Sequence, residues 1–172
     1  MTAEDLVTQV RSAQRGDRAA FGRLYDRYGR MVHGLLLAHG PRGEAPDLVQ
    51  EVFMQAWSHI GSLREPAAFG GWIARMARRR AIDALRARRP VEVLEDTHAA
   101  PHDTHDEAIA VMRLLQALPE AYRETLVLRL VEGLSGPEIA EMTGMTPGSV
   151  RVNLHRGMTL LRERMGVNRD EA

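Results

Sequence analysis

Arginine carries most of the chemistry this chain can offer. Residues 75–89 hold Arg75, Arg78, Arg79, Arg80, Arg86, Arg88 and Arg89 against a single acid, Asp83. Guanidinium groups at that density repel one another along a helix. A polyanion relieves the repulsion, so nucleic acid is the economical partner. A second group, Ser149, Arg151, Asn153, His155 and Arg156, gathers side chains that contact phosphates and base edges. Covalent chemistry has no comparable set. GxxxxGK[ST], HExxH and GxSxG are absent, and Asp83 and Glu51 are single acids rather than a placed pair. The chain has no Cys, which excludes thiolate zinc sites, disulfides and redox switching. The expectation is a binding protein, not an enzyme, with no cofactor and no metal.

The second group sits in Leu134–Met165, which reads as two helices around a tight turn. Ser135 caps the first helix, with Glu138 as its capping-box partner. Gly144 permits the turn. Thr146 caps the second helix, and Pro147 takes its first position, where a missing N–H is harmless. Val150, Leu154, Met158, Leu161 and Met165 share one buried stripe. A short helix, a Gly turn and a longer helix with a polar, Arg-bearing front form a helix-turn-helix pattern.

The rest of the chain is helical as well. Aromatics are scarce, and Ala, Leu and Arg dominate. Glu4–Gln14 is a short amphipathic helix broken at Gly16. Asp17 caps a long one whose stripe is Phe21, Leu24, Tyr25, Tyr28, Val32, Leu35 and Leu36. His33 and His39 lie in or beside that stripe and read as structural. Asp47 caps the next helix with Gln50 as its partner, burying Val49, Val52, Phe53, Ala56 and Trp57. Residues 59–66 read as a loop. The Arg-rich helix then buries Phe69, Trp72, Ile73, Met76, Ala77, Ile82 and Leu85, and Pro90 ends it. Ile109, Met112, Leu115 and Leu118 line a further helix. Pro119 starts another, packed through Tyr122, Leu126, Val127 and Leu130 and stopped by Gly133.

Charge divides the chain. Net charge is zero, yet residues 1–90 carry 15 Arg against 9 acids, residues 91–107 carry 6 acids and no base, and residues 108–172 carry 8 of each. All 23 basic residues are Arg, a usage that a GC-rich genome explains more simply than phosphate binding does. The expected architecture is all-α: a helical domain over 1–90, an acidic linker over 91–107, and a smaller domain over 108–172 ending in the helix-turn-helix. His98, His102 and His105, with Asp103 and Asp106, are metal-donor types, but in an unordered segment they read as solvated linker. No signal peptide or membrane-length apolar run is visible, so a cytoplasmic protein without membrane insertion is expected.

Three stretches in order, DLVQEVFMQAW, FGGWIARMARRRAIDALR and LPEAYRETLVLRLVEGLSGPEIAEMTGMTPGSVRVNLHRG, resemble successive signatures of bacterial RNA polymerase sigma factors. The small two-domain extracytoplasmic-function type is the most similar, and AQRGDRAAFGRLYDRY resembles its opening helices. The resemblance implies that Asp47, Gln50 and Glu51 dock on core RNA polymerase. It implies that Arg75, Arg78, Arg79, Arg80, Asp83 and Arg86 hold promoter DNA near −10. The loop of Gly61, Ser62, Leu63 and Arg64 would pocket a base flipped from the melted strand. Ser149, Arg151, Val152, Asn153, His155 and Arg156 would read the element near −35. An anti-sigma factor is implied as a further partner, and the unbound chain is expected to be a monomer. The acidic linker would follow the RNA exit path as a nucleic-acid mimic. The chain departs from the family at Arg79, where Asn is frequent, at Asn153, where Arg is usual, and at Val152, which replaces a small hydroxyl residue. Asn suits adenine better than guanine. A polymerase-independent regulator, a recombinase and a sigma-mimicking adaptor remain the rival readings; the first predicts a dimer on a palindromic site.

Overall fold

Local capping chemistry sets most helix starts in the computed structural model, which describes residues 2–41, 43–88 and 104–166. Thr2 and Asp5 form a capping box on α1 (Ala3–Gln14). Asp17 caps α2 (Arg18–His39), its carboxylate accepting from the Ala20 N–H at 3.0 Å. Ser135 and Glu138 close the expected capping box on α7 (Gly136–Thr143), and Thr146 caps α8 (Pro147–Arg164). Between α7 and α8, Gly144 adopts φ +77°, a left-handed conformation that glycine takes without steric cost.

One expected cap is displaced. α3 (Ala45–His59) starts before Asp47, with Glu44 at the cap position and no side-chain cap. Pro46 fits the first helical turn, so the helix begins ahead of the carboxylate. Asp47 instead lies in the first turn, where its charge complements the helix dipole. The stretch expected as a loop holds two single 3₁₀ turns, Ile60–Ser62 and Pro66–Ala68, leading into α4 (Phe69–Ala87). α5 (Thr104–Gln116) and α6 (Glu120–Leu130) complete an arrangement with no strand among the described residues. Residues 89–103 lie outside the described residues, among them Pro90, His98, His102 and Asp103. So do the side chains of His105 and Asp106 and the tail 167–172.

α2 is the axis of the N-terminal half. α1, α3 and α4 pack around it, and Leu24, Met31, Val32, Leu35 and Leu36 are fully buried. Tyr28 meets Phe69 edge-on at 5.2 Å between ring centroids, joining α2 to the start of α4. Within α4 the buried face is finer-grained than the large apolar residues suggested. Ala74, Ala77, Ala81 and Ala84 are buried, whereas Leu85 is 52% exposed. Small residues let α4 approach α2 closely, and Leu85 falls beyond the edge of that contact.

The C-terminal helices pack against this bundle instead of standing apart from it. α6 is wedged between α2 and α8, and α7 rests on α4. Glu124, Thr125, Leu126, Val127 and Leu128 are consecutive and all buried, so α6 has neighbours on every side. Leu130, expected in its core stripe, is 48% exposed at the helix end. Met165 is likewise exposed, and Gly157 is buried on α8 in its stead, against Leu126 and Tyr122.

Glycine marks the contact between the halves. A Cβ on Gly70 would lie 2.5 Å from the Met142 carbonyl oxygen, and one on Gly34 would lie 2.7 Å from Leu128 Cδ2. The first obstacle is backbone and cannot rotate away. Gly70→Ala is therefore expected to destabilise the packed chain by about 1–3 kcal/mol, the usual cost of overpacking, despite alanine's better helix propensity. Denaturant titration followed by circular dichroism measures it.

Candidate nucleic-acid interface

α8 presents its polar front to solvent. Val150, Gly157 and Leu161 are buried beneath it, whereas Ser149, Arg151, Val152, His155 and Arg156 are exposed and Asn153 is half-buried. The Ser149 N–H donates to Thr146 Oγ1 at 3.1 Å, and the two hydroxyls lie 2.8 Å apart, which fixes the first turn. Neither Arg151 nor Arg156 makes an ion pair among the described residues. Two guanidiniums, an amide and an imidazole on one helix face can contact phosphates and base edges together.

The Arg-rich helix is less uniform than its sequence. Arg75 and Arg86 are exposed, with no ion pair among the described residues. Arg79 lies 3.8 Å from Asp83 one turn on, and Arg80 pairs with Glu51 of α3 at 2.6 Å. Arg88 reaches Glu44. Gln55, Trp72, Arg75, Arg79, Arg80 and Asp83 line a surface groove between α3 and α4. Acids elsewhere in the chain thus relieve part of the repulsion that seemed to require a polyanion. The Arg80–Glu51 pair also ties the residues expected on DNA to those expected on polymerase. Asp47, Gln50 and Glu51 share one exposed face of α3.

Arg78 stands apart. Its Nε donates to Glu124 Oε2 at 2.8 Å and its Nη2 to Oε1 at 2.6 Å, a bidentate fork across the contact between the halves. His39 Nε2 donates to the same carboxylate at 2.9 Å. Glu124 is 3% exposed. Burial alone would raise its pKa, but the hydrogen bonds from Arg78 and His39 outweigh burial and hold it at about 2 instead of 4.5. Sequence reasoning placed Arg78 among the DNA-facing arginines, read His39 as structural and left Glu124 unassigned. The only signal was an acid inside the run Glu124–Leu128.

In the loop, Gly61, Ser62 and Arg64 are exposed, but Leu63 is buried at 8% exposure. The Gln14 amide at the end of α1 donates to the carbonyls of Ile60 at 3.0 Å and Leu63 at 2.7 Å. Gln14 is a second contributor that sequence reasoning missed. A groove lined by Tyr25, Asp26, Arg30, His33, Val49 and Glu132 runs alongside the contact between the halves. There the His33 ring donates through Nδ1 to Glu132 at 2.6 Å.

That hydrogen bond raises the His33 pKa above its ordinary 6.5, against the opposing effect of burial. Its stabilising contribution is complete below about pH 6.5 and is lost as pH rises through the raised value. The thermal midpoint of the wild-type chain should therefore fall between pH 6 and 9, and His33→Gln should flatten that part of the profile. Glu124 acts at the other end. Its contribution is complete above 4.5 and is lost as pH falls towards about 2.

Comparison with known proteins fits both halves. Residues 24–91 match the family model for Sigma-70 region 2, and residues 108–161 match that for Sigma-70, region 4. The chain is 34% identical over 184 residues to the ECF RNA polymerase sigma-E factor of Haemophilus influenzae, covering 95% of this chain and 97% of that one. It is 33% identical over 175 residues to the protein of the same name from Escherichia coli K12, covering 90% and 92%. Among solved structures, CnrH in complex with the cytosolic domain of CnrY superposes with a TM-score of 0.67 at 24% identity, covering 95% of this chain and 99% of that one. The sigma factor RpoE from Bartonella quintana, solved with the anti-sigma factor NepR, gives 0.54 at 22% identity, covering 85% and 95%. At these identities both speak to the fold.

Proposed function

We propose a residue-level division of labour for this chain, which belongs to the extracytoplasmic-function group of the sigma-70 family of RNA polymerase sigma factors. It binds core RNA polymerase and directs promoter-specific initiation of transcription. The polymerase supplies the chemistry of chain synthesis, and the sigma factor supplies the address.

In this reading, residues 1–90 form the unit that meets the −10 element and the polymerase, and residues 108–172 the unit that meets the −35 element. The observation that carries it is the asymmetry of α8. One side is buried at Val150, Gly157 and Leu161, and the other presents Arg151, Val152, His155 and Arg156 to solvent. A helix fixed from behind and capped at Thr146 suits insertion into a major groove. Arg151 and Arg156 take phosphate or guanine edges, Asn153 suits adenine, and the Val152 methyls suit a thymine methyl. On α4, Arg75, Arg79, Arg80 and Arg86 grip the downstream backbone, and Asp83 orients Arg79. Gly61, Ser62 and Arg64 form the rim of a pocket for an unstacked base, with Leu63 as its buried anchor. Asp47, Gln50 and Glu51 dock on core polymerase.

An anti-sigma factor completes the proposed partners. The structures of CnrH and RpoE each hold such a relative with a bound partner, and the groove at Tyr25, Val49 and His33 offers a partly apolar seat here.

Run-off transcription with core polymerase tests the DNA assignment. Arg151→Ala and Arg156→Ala are each expected to weaken promoter binding by about 1–3 kcal/mol if they reach base edges. Unaltered initiation from both variants would sink the placement of α8. Charge reversal at Asp47 and Glu51 tests docking. Affinity for core polymerase should fall roughly tenfold or more, equivalent to about 1.4 kcal/mol, with helicity retained. Unchanged affinity rejects that face.

A further inference from the structure

Two carbonyls of the turn between α3 and α4 converge on one side chain of another helix. Gln14 Nε2 donates to the Ile60 oxygen at 3.0 Å and to the Leu63 oxygen at 2.7 Å. A primary amide carries two N–H donors on a single nitrogen, so one Gln closes the turn from both ends. The Ile60 oxygen also accepts from the Leu63 N–H at 3.1 Å, using its second lone pair. Among the described residues the Leu63 oxygen has no other hydrogen-bond partner. Inside the turn, the Ser62 hydroxyl donates to the His59 oxygen at 2.7 Å.

Gln14 is itself firmly placed. Val10 and Ala13 are buried, which seats the last turn of α1 on the bundle. Gly16, at φ +92°, then reverses the chain, and the Asp17 N–H donates to the Ser12 oxygen at 3.1 Å. On the other side of the contact, the side chains of Ile60 and Leu63 are buried. Gly61 and Ser62 face solvent between them, and Arg64 follows. Gly61 does not adopt a positive φ, and a Cβ there would meet nothing within 4 Å. Neither backbone conformation nor packing within the chain calls for glycine at this position. The missing side chain leaves the backbone open to close approach from outside.

A base drawn out of the stack loses stacking energy, and a pocket shaped in advance offsets that loss best. A single 3₁₀ turn has poor hydrogen-bond geometry and holds its shape weakly by itself. Hydrogen bonds from behind supply the rigidity that a site on a loop otherwise lacks. We propose that Gln14 is a positioning residue for promoter recognition: by holding both ends of the turn, its amide sets how sharply residues 61–64 discriminate the base extruded from the −10 element. Gln14 touches the backbone of the loop, and the base meets the loop's outer surface. Without the amide donors the Leu63 carbonyl turns to water, and the loop admits bases of different size and edge. Phosphate contacts elsewhere position the promoter without reading it, so overall binding falls little while discrimination at one position falls much. The inference rests on the proposed seat of the unstacked base at Gly61, Ser62 and Arg64.

Competitive run-off transcription by core polymerase with the full chain tests it. The template pool is randomised across the −10 and −35 elements, each template tagged by a transcribed barcode. The readout is the yield ratio between the most and the least favoured base at each position. Gly61→Leu fills the open approach and marks the position that the loop reads. Gln14→Met keeps the length of the side chain and removes both donors. Gln14→Glu keeps its outline and turns oxygens towards the two carbonyls. In each Gln14 variant the ratio at the marked position should fall roughly fivefold or more, while ratios across the −35 element stay within about twofold and helicity is retained. A wild-type ratio at the marked position in both variants overturns the inference and leaves the loop as the pocket. So does a fall shared equally by the −35 positions, which signals general damage to the fold. If Gly61→Leu alters no position of the −10 element, the pocket placement itself fails and the role of Gln14 falls with it.

Discussion

A carboxylate cut off from water must find its counter-charge inside the protein, and Glu124 finds it in Arg78 of α4, with a further hydrogen bond from His39 of α2. This requirement orders the centre of the molecule. α6 cannot turn Glu124 outward without breaking the packing of Leu126, Val127 and Leu128 on its other sides. The C-terminus of α2, the middle of α6 and the middle of α4 are therefore tied together by one ionic group. Removing one member of such a buried pair typically costs about 3–5 kcal/mol, because the remaining charge is stranded. A pair of that kind favours one particular arrangement while adding little net stability.

The arginine-rich helix shows how charge density can mislead. Counted along α4 alone, its cations seemed to demand an external polyanion. In three dimensions Glu44, Glu51, Asp83 and Glu124 supply four carboxylates, and three of them come from outside the helix. What remains exposed is a selected subset, chiefly Arg75, Arg79 and Arg86. Charge repulsion along a helix is a local argument, and tertiary packing can answer it with residues 29 to 46 positions away.

Local chemistry was legible in the sequence where cause and effect lie within one turn of helix. Ser135 with Glu138, Thr146 with Pro147, Gly144 and Asp17 all act as their spacing implies. So does the exposed front of α8. Asp47 was misread because two chemistries compete there: a good capping carboxylate lies one residue after a proline that already suits a first turn. Leu85, Leu130 and Met165 were misread because helical periodicity gives the direction of a buried stripe but not where the neighbouring helix ends. The packing of the halves was out of reach for a deeper reason. Its ionic partners are separated by 46 to 114 residues, and the acids that make it, Glu124 on α6, Glu132 just beyond α6 and Glu141 on α7, look like ordinary surface residues in the sequence.

The similarity to region 2 begins at residue 24, inside α2, and leaves out all of α1. Gln14, the last residue of α1, nevertheless holds the carbonyls of Ile60 and Leu63, which bracket the exposed residues Gly61 and Ser62. A fragment trimmed to the residues that match region 2 would keep the loop and lose its tether. The bounds of the region 2 match and of mechanical support do not coincide in this protein: an amide outside residues 24–91 shapes a surface within them.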